Sequence, residues 1–209
     1  MNYRSFNSLK VLSVAVTIIM LQANIANAIF DVKLGYGTLA SKTNLTSFYS
    51  GASSDIPSAI PTAGLTLDAR VTIPLVGLGI GLRTEDQKIS YDNSALSITN
   101  SFKRTSLVLG YRLLDTLIYV GPVATIGMNH SNNIELKAAG TTLNKISSSS
   151  TSSTSLGLEA GAGLLGFNAG AEVGYMTMKY KDAKDSINNN KYDLDMSGSY
   201  IKVFVGFGI

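Results

Sequence analysis

Segments of about ten residues in which apolar side chains recur at every second position constrain this chain more than any other feature. In Asp31 to Ala40, Val32, Leu34 and Tyr36 fall on one parity, and Asp31, Lys33, Gly35 and Gly37 on the other. Leu65, Leu67, Ala69, Val71 and Ile73 alternate with Thr66, Asp68, Arg70 and Thr72. Val76, Leu78, Ile80 and Leu82 alternate with Gly77, Gly79, Gly81 and Arg83, and Glu85 follows on that second parity. Leu107, Leu109, Tyr111 and Leu113 oppose Ser106, Val108, Gly110 and Arg112. The pattern repeats over Ile118 to Met128, Leu156 to Leu164, Asn168 to Tyr175 and Ile201 to Ile209. Successive side chains of a strand point to opposite faces. The sequence therefore predicts eight strands, each with an apolar face and a face of glycine and charge.

The connections sort into two kinds. Short turns are predicted around Pro74, Leu114-Asp115-Thr116 and Leu165-Gly166, whereas the links over roughly 41–63, 86–103, 129–155 and 179–199 are long and polar. Within them KISSSSTSST, Lys145 to Thr154, is low-complexity and reads as mobile. Short and long links alternate, with both ends of the mature chain on the short side. That predicts an all-β fold, an eight-stranded antiparallel up-and-down transmembrane barrel with short periplasmic turns and four long extracellular loops. Pro122, inside the fifth segment, is expected at a bulge or where its missing donor is not needed.

The first 28 residues read as an address. Arg4 and Lys10 precede an apolar core, Val11 to Leu21, and Ala26-Asn27-Ala28 fits a small-x-small cleavage site. The core is too short to span a membrane, which takes about 20 residues. Residues 1–28 are thus expected to be a signal peptide and 29–209 the barrel. Of 17 Lys plus Arg, 15 remain after Arg4 and Lys10 are removed, against 14 Asp plus Glu, so the mature chain is nearly neutral. No basic run interleaved with aromatics is present, and no nucleic-acid partner is expected. Zero cysteines remove disulfides and thiolate chemistry.

Leu158 to Tyr175 contains a G-x-G-x-x-G at Gly161, Gly163 and Gly166. A dinucleotide site needs a helix opening at the motif, but period-two alternation continues through FNAGAEVGY. Closing eight strands leaves an interior that side chains must fill, so the glycines are read as spacers beside long residues on the lumen face, and Gly166 as a turn residue.

Together these features resemble the small eight-stranded outer-membrane barrels, the OmpA transmembrane domain and OmpX-like group. The resemblance spans residues 29–209 and rests on architecture. Its most local element is YIKVFVGFGI, which is similar to the C-terminal strand read by the barrel-assembly machinery, with Tyr200, Phe207 and Ile209 as the assembly signal. Such strands usually end in an aromatic residue, whereas this one ends in Ile209. The resemblance implies a monomer in the bacterial outer membrane, surrounded by lipid and lipopolysaccharide. Trp is absent, so the aromatic girdle falls to Phe30, Phe102, Tyr111, Phe167, Tyr175 and Phe207.

The candidate site is the lumen face, which holds Asp31, Lys33, Asp68, Arg70, Arg83, Glu85, Arg112, Glu159, Glu172 and Lys202, five acidic and five basic. Enclosed charges must be paired or hydrated, so the equal count is read as a salt-bridge network that plugs the barrel, in preference to a gated pore. His130 is the single histidine, and Ser131 next to it would point to the opposite face of a strand. His130 is therefore read as a loop or strand-end residue without a catalytic role. Neither a metal site nor a cofactor is expected. The chain reads as a non-enzymatic outer-membrane protein whose loops serve envelope integrity or take an extracellular ligand. The alternatives are a narrow solute pore and a lipid A-modifying enzyme.

Overall fold

The computed structural model describes residues 30–41, 61–73, 76–92, 96–115, 117–187 and 190–209. The expected signal peptide, Pro74, Thr116 and nearly all of the 41–63 link lie outside them. Eleven strands occur among the described residues: β1 (Phe30–Ser41), β2 (Thr62–Ile73), β3 (Leu78–Asp92), β4 (Leu96–Tyr111), β5 (Leu114–Asp115), β6 (Ile118–Ala138), β7 (Thr141–Ser147), β8 (Ser150–Leu164), β9 (Phe167–Asp185), β10 (Lys191–Asp195) and β11 (Gly198–Gly208). Eight form a closed antiparallel ring in the order β1, β2, β3, β4, β6, β8, β9, β11. β11 returns onto β1, with Phe207 opposite Val32 and Tyr200 opposite Leu39. Phe30 and Ile209 exchange backbone hydrogen bonds of 2.9 Å, closing the seam at its end.

The predicted apolar parity faces outward. Leu34, Leu67, Leu82, Leu158, Val173 and Val203 are all exposed, and they belong to a continuous belt around the ring. A belt of this extent is covered by hydrocarbon in a barrel of this type. Tyr36 belongs to it at one rim, together with Tyr175, while Phe30, Tyr111, Phe167 and Phe207 lie towards the short-turn end. Phe167 and Phe207 are cross-strand partners whose rings meet edge to face at 5.1 Å. Phe102 does not join the girdle: it is 2% exposed and points inward, on the same parity as Ser106.

The short turns follow local chemistry. Leu165 and Gly166, with φ of 52° and 86°, join the paired Leu164 and Phe167 as a two-residue hairpin loop, in which positive φ matches the strand twist. Gly77, read from sequence as a lumen residue, instead occupies the β2–β3 turn with φ of 71°. Pro122 lies just beyond Val123, whose pairing with Gly110 is the last between β4 and β6.

At the other end stand the long connections, and three are built largely of strand. β3 and β4 stay paired as far as Asp92 and Ser97, β6 runs to Ala138 before turning back into β7, and β9 runs to Asp185. Alternation persists there, but the faces exchange character. Lysine, serine and threonine point outward, and Ile98, Phe102, Ile134, Met176, Met178 and Leu194 point inward into a buried apolar cluster. The polar residues make these segments read as loops, although apolar residues such as Ile98, Phe102, Ile134 and Leu136 recur on one parity within them. On β6 the register slips between Thr105–Asn129 and Ser106–Gly127, leaving Met128 as the extra residue of a bulge. The bulge moves the inward face from the odd residues ending at Gly127 to His130, Asn132, Ile134 and Leu136.

The serine tract, expected to be mobile, is part of β7, β8 and the turn between them. Ser150 and Ser152 pair with Lys181 and Lys179 of β9. Where β6 and β8 part, Asn132 fills the gap. It donates to the Ser148 carbonyl (3.2 Å) and the Thr151 hydroxyl (2.7 Å) and accepts from the Ser148 backbone N–H (2.9 Å). A side-chain amide thus substitutes for a missing rung of backbone ladder.

Candidate functional site: the charged lumen

The period-two pattern that turns leucines towards lipid turns charge into a closed interior. All ten predicted lumen residues face inward; nine are buried and Arg112, nearest the short-turn end, is partly so. At that end Asp31 accepts from Arg112 (3.2 Å) and Asn168 (3.0 Å) and lies 3.3 Å from Lys33. Lys33 is also paired with Glu159. Arg70 donates to Glu159 (2.9 Å) and Asp68 (2.7 Å).

Arg83 is at the centre. Its guanidinium holds Asp68 through two bonds of 2.8 Å and Glu172 through bonds of 2.9 and 2.6 Å. This forked pairing is the strongest geometry available to an arginine and a carboxylate. Lys202 completes the tier, 2.8 Å from Glu172 and 3.3 Å from Asp68, and Tyr200 donates to Glu172 at 2.7 Å. Glu159 and Glu172 are direct cross-strand partners. Two carboxylates so placed repel, and the four cations Lys33, Arg70, Arg83 and Lys202 hold them together.

Two of these pairs cross the full width of the barrel. β3 and β9, which carry Arg83 and Glu172, have three strands between them whichever way round the ring is followed. So do β2 and β8, which carry Arg70 and Glu159. Aromatic rings fill the remaining space: Lys33 lies 4.7 Å from the Phe204 centroid and 5.4 Å from that of Tyr119, and Arg112 is 4.7 Å from Tyr119. Two lumen glycines, Gly161 of the G-x-G-x-x-G and Gly170 beyond it, make room for these rings. A Cβ at Gly161 would stand 2.6 Å from the Tyr119 hydroxyl, and one at Gly170 would stand 2.7 Å from the Phe204 ring. Towards the short-turn end, Arg70, Arg112, Tyr119 and Glu159 border a cavity of about 20 Å³, room for about one water.

Sequence reasoning missed Arg104. It is 2% exposed, paired with Glu85, and donates to Ser153 and Thr125, each at 3.2 Å. Its signal was parity: Arg104 lies two residues before Ser106, in a segment assigned to a loop. Among the described residues Arg104 thus joins the five basic and five acidic side chains predicted, and Asp185 of β9 is also buried on the inward face. His130, directly opposite Arg104, lies within strand β6 rather than in a loop and is hydrogen-bonded to the Ser153 hydroxyl at 2.7 Å. Among the described residues no group of three or more His, Cys, Asp or Glu side chains is placed to hold a metal ion. Of the residues expected to form an assembly signal, Phe207 is exposed on β11 and Ile209 is exposed just beyond its end, whereas Tyr200 is turned into the lumen.

No family model matches the sequence, and no curated protein matches it. Solved structures match in fold. Neisserial surface protein A is 11% identical, with 86% of this chain and 97% of that one covered and a TM-score of 0.51. Ail, the attachment invasion locus protein of Yersinia pestis, in complex with the heparin analogue sucrose octasulfate, is 9% identical, with the same coverage and a TM-score of 0.52. The chain has the fold of the small eight-stranded outer-membrane barrels.

Proposed function

We propose that this chain is a bacterial outer-membrane protein whose barrel is a closed, non-conducting anchor for a rigid polar platform at the cell surface, serving envelope integrity or surface recognition. The observation that carries this reading is the pair of ion-pair ties, Arg83 to Glu172 and Arg70 to Glu159, that cross the lumen. Above them the apolar cluster fills the interior of the surface extension, so the barrel is obstructed at two levels. The exposed apolar belt supports a lipid setting, and the fold supports the outer membrane. Ail is an attachment protein by name, and its likeness supports assigning recognition to the extended end. The partners in this reading are the barrel-assembly machinery for insertion, the surrounding lipid and an extracellular ligand. Catalysis is not part of this reading, and the lipid A spectra below test that.

Planar bilayers provide the test. Wild-type protein is expected to show no steady conductance, and Glu172→Ala to show transient openings. Stable single-channel steps from the wild type would overturn closure in favour of a narrow pore. Lipid A mass spectra from cells with and without the protein are expected to be identical, and a changed acyl pattern would overturn the non-enzymatic part.

A further inference from the structure

Gly161 and Gly170 make room for aromatic rings, but two other lumen glycines border a cavity that no side chain fills. Gly79 of β3 and Gly110 of β4 line the space at the short-turn end together with Arg70, Arg112, Tyr119 and Glu159. A Cβ at Gly79 would meet nothing nearer than the Thr72 hydroxyl oxygen at 3.4 Å, an ordinary contact. The missing side chains there leave room for something other than protein.

The wall is rich in donors. Arg70, 6% exposed, binds Asp68 and Glu159 through Nη2. Its Nε–H is buried with no acceptor among the described residues, and its Nη1 lies 3.3 Å from where a Cβ of Gly110 would stand. A guanidinium only donates, so only an acceptor can satisfy it. The Tyr119 hydroxyl, on a side chain 3% exposed, is likewise buried without a partner among the described residues. Arg112 lies over the Tyr119 ring and is bound to Asp31. Charge leans the same way as the donors. Among the described ion pairs, Lys33, Arg70, Arg83 and Lys202 share the carboxylates of Asp68, Glu159 and Glu172, and Asp31 is divided between Lys33 and Arg112. Glu159, the carboxylate on the cavity wall, already commits one oxygen to Lys33 and the other to Arg70.

We propose that this cavity is a binding site for one monovalent anion of halide size, chloride in ordinary media, held by the Arg70 Nε–H and the Tyr119 hydroxyl beside the Arg112 guanidinium. An ion that only accepts satisfies both donors at once. Water in the same place would bring two protons to a wall whose carboxylate is already engaged. Size selects the class of anion: about 20 Å³ admits one body of water size, which leaves no room for the four oxygens of phosphate or sulfate. An anion beside Arg70 also lowers the cost of burying so many cations in one tier. Arg112, with 16% of its side chain exposed, is the group an entering ion meets first. Because the site exists only in the closed ring, the anion binds the folded barrel and not the unfolded chain, and it stabilises the fold by mass action.

The experiment unfolds the full barrel, refolded in detergent micelles, with urea at constant ionic strength while sodium gluconate is exchanged for sodium chloride or sodium bromide. Both halides are expected to raise the midpoint. Once the site is filled, the unfolding constant should fall about tenfold for each tenfold rise in halide. Crystals grown in bromide should show an anomalous peak in contact with Arg70 and Tyr119. Gly79→Ala places a methyl group in the cavity without a clash and should abolish the halide response. Tyr119→Phe keeps the ring and removes one donor to an ion, which should weaken halide binding about tenfold or more. Tyr180→Phe removes another buried hydroxyl without a partner, in the apolar cluster of the extension, and should leave the response unchanged. Heat-modifiable migration confirms folding of every variant. Equal midpoints in chloride and gluconate, a bromide crystal with no peak at the cavity, or a wild-type response in either Gly79→Ala or Tyr119→Phe would each overturn the proposal. Loss of the response in Tyr180→Phe would also overturn it, by assigning the halide effect to general stability.

Discussion

Glu172 has no exposed surface and is shared among Arg83, Lys202 and Tyr200. Its removal leaves two cations leaning on Asp68 alone, and breaking a buried pair from one side costs about 3–5 kcal/mol, less where lumen water takes over the pairing. Glu172→Ala is therefore expected to lower the urea midpoint of the refolded barrel, and Glu159→Ala likewise through Lys33 and Arg70. Adding Arg83→Met to Glu172→Ala should recover part of the loss, since the unmatched charge goes with it. If both single variants unfold at the wild-type midpoint, the network does not hold the interior shut. The ten charges of this site were legible because each continues a period-two run from an apolar segment. Arg104 was not, because its neighbours Asn100, Ser101 and Lys103 made the run look like a loop.

Elements set the next group of expectations. In the β8–β9 hairpin Leu165 adopts a left-handed conformation that costs a branched side chain about 1–2 kcal/mol and suits asparagine. Leu165→Asn should raise the unfolding midpoint. Gly166→Ala should lower it, because φ is 86° and the new Cβ would stand 2.9 Å from the Gly208 carbonyl oxygen. The surface extension answers to a different core. Ile134 is completely buried in the apolar cluster, and its truncation to Ala should cost about 2–5 kcal/mol. That loss should fall on the extension: heat-modifiable migration stays intact, while protease added to the folded protein begins to cut β6 and β7. Cutting that is unchanged, or loss of the whole barrel, would show that the cluster is not a separate unit of stability.

For the whole molecule, the belt and the ring closure make two demands. Apolar side chains around the full circumference leave no surface for water, so the protein should fractionate with outer membranes, resist alkaline extraction and migrate anomalously on gels when unheated. Recovery as a soluble periplasmic monomer would end the barrel reading. Protease on intact cells should then find few sites. Within the described residues, cuts are expected at Ala139–Gly140 and at Ser186–Ile187, where turns are exposed, and not along the paired serines of β7 and β8. An inserted epitope should be tolerated at Gly140, where a side chain would meet nothing. Protection of both turns on whole cells would invert the topology.

The number of strands in the ring, the outward face and the identity of nearly every lumen charge were written in the sequence, because side-chain direction in a strand alternates by covalent geometry and needs no knowledge of the partner. The G-x-G-x-x-G was likewise resolved by parity, with two glycines facing the lumen and Gly166 in a turn. What parity leaves open is which strand stands across the interior. Arg83 and Glu172 are 89 residues apart, and only closure of the ring, with β11 on β1, sets them face to face. Tertiary structure also decided where lipid ends. Beyond the belt the same alternation carries apolar residues inward and polar residues outward, since there water, and no longer hydrocarbon, lies outside the wall. A sequence records the alternation but not which solvent each stretch of strand will meet.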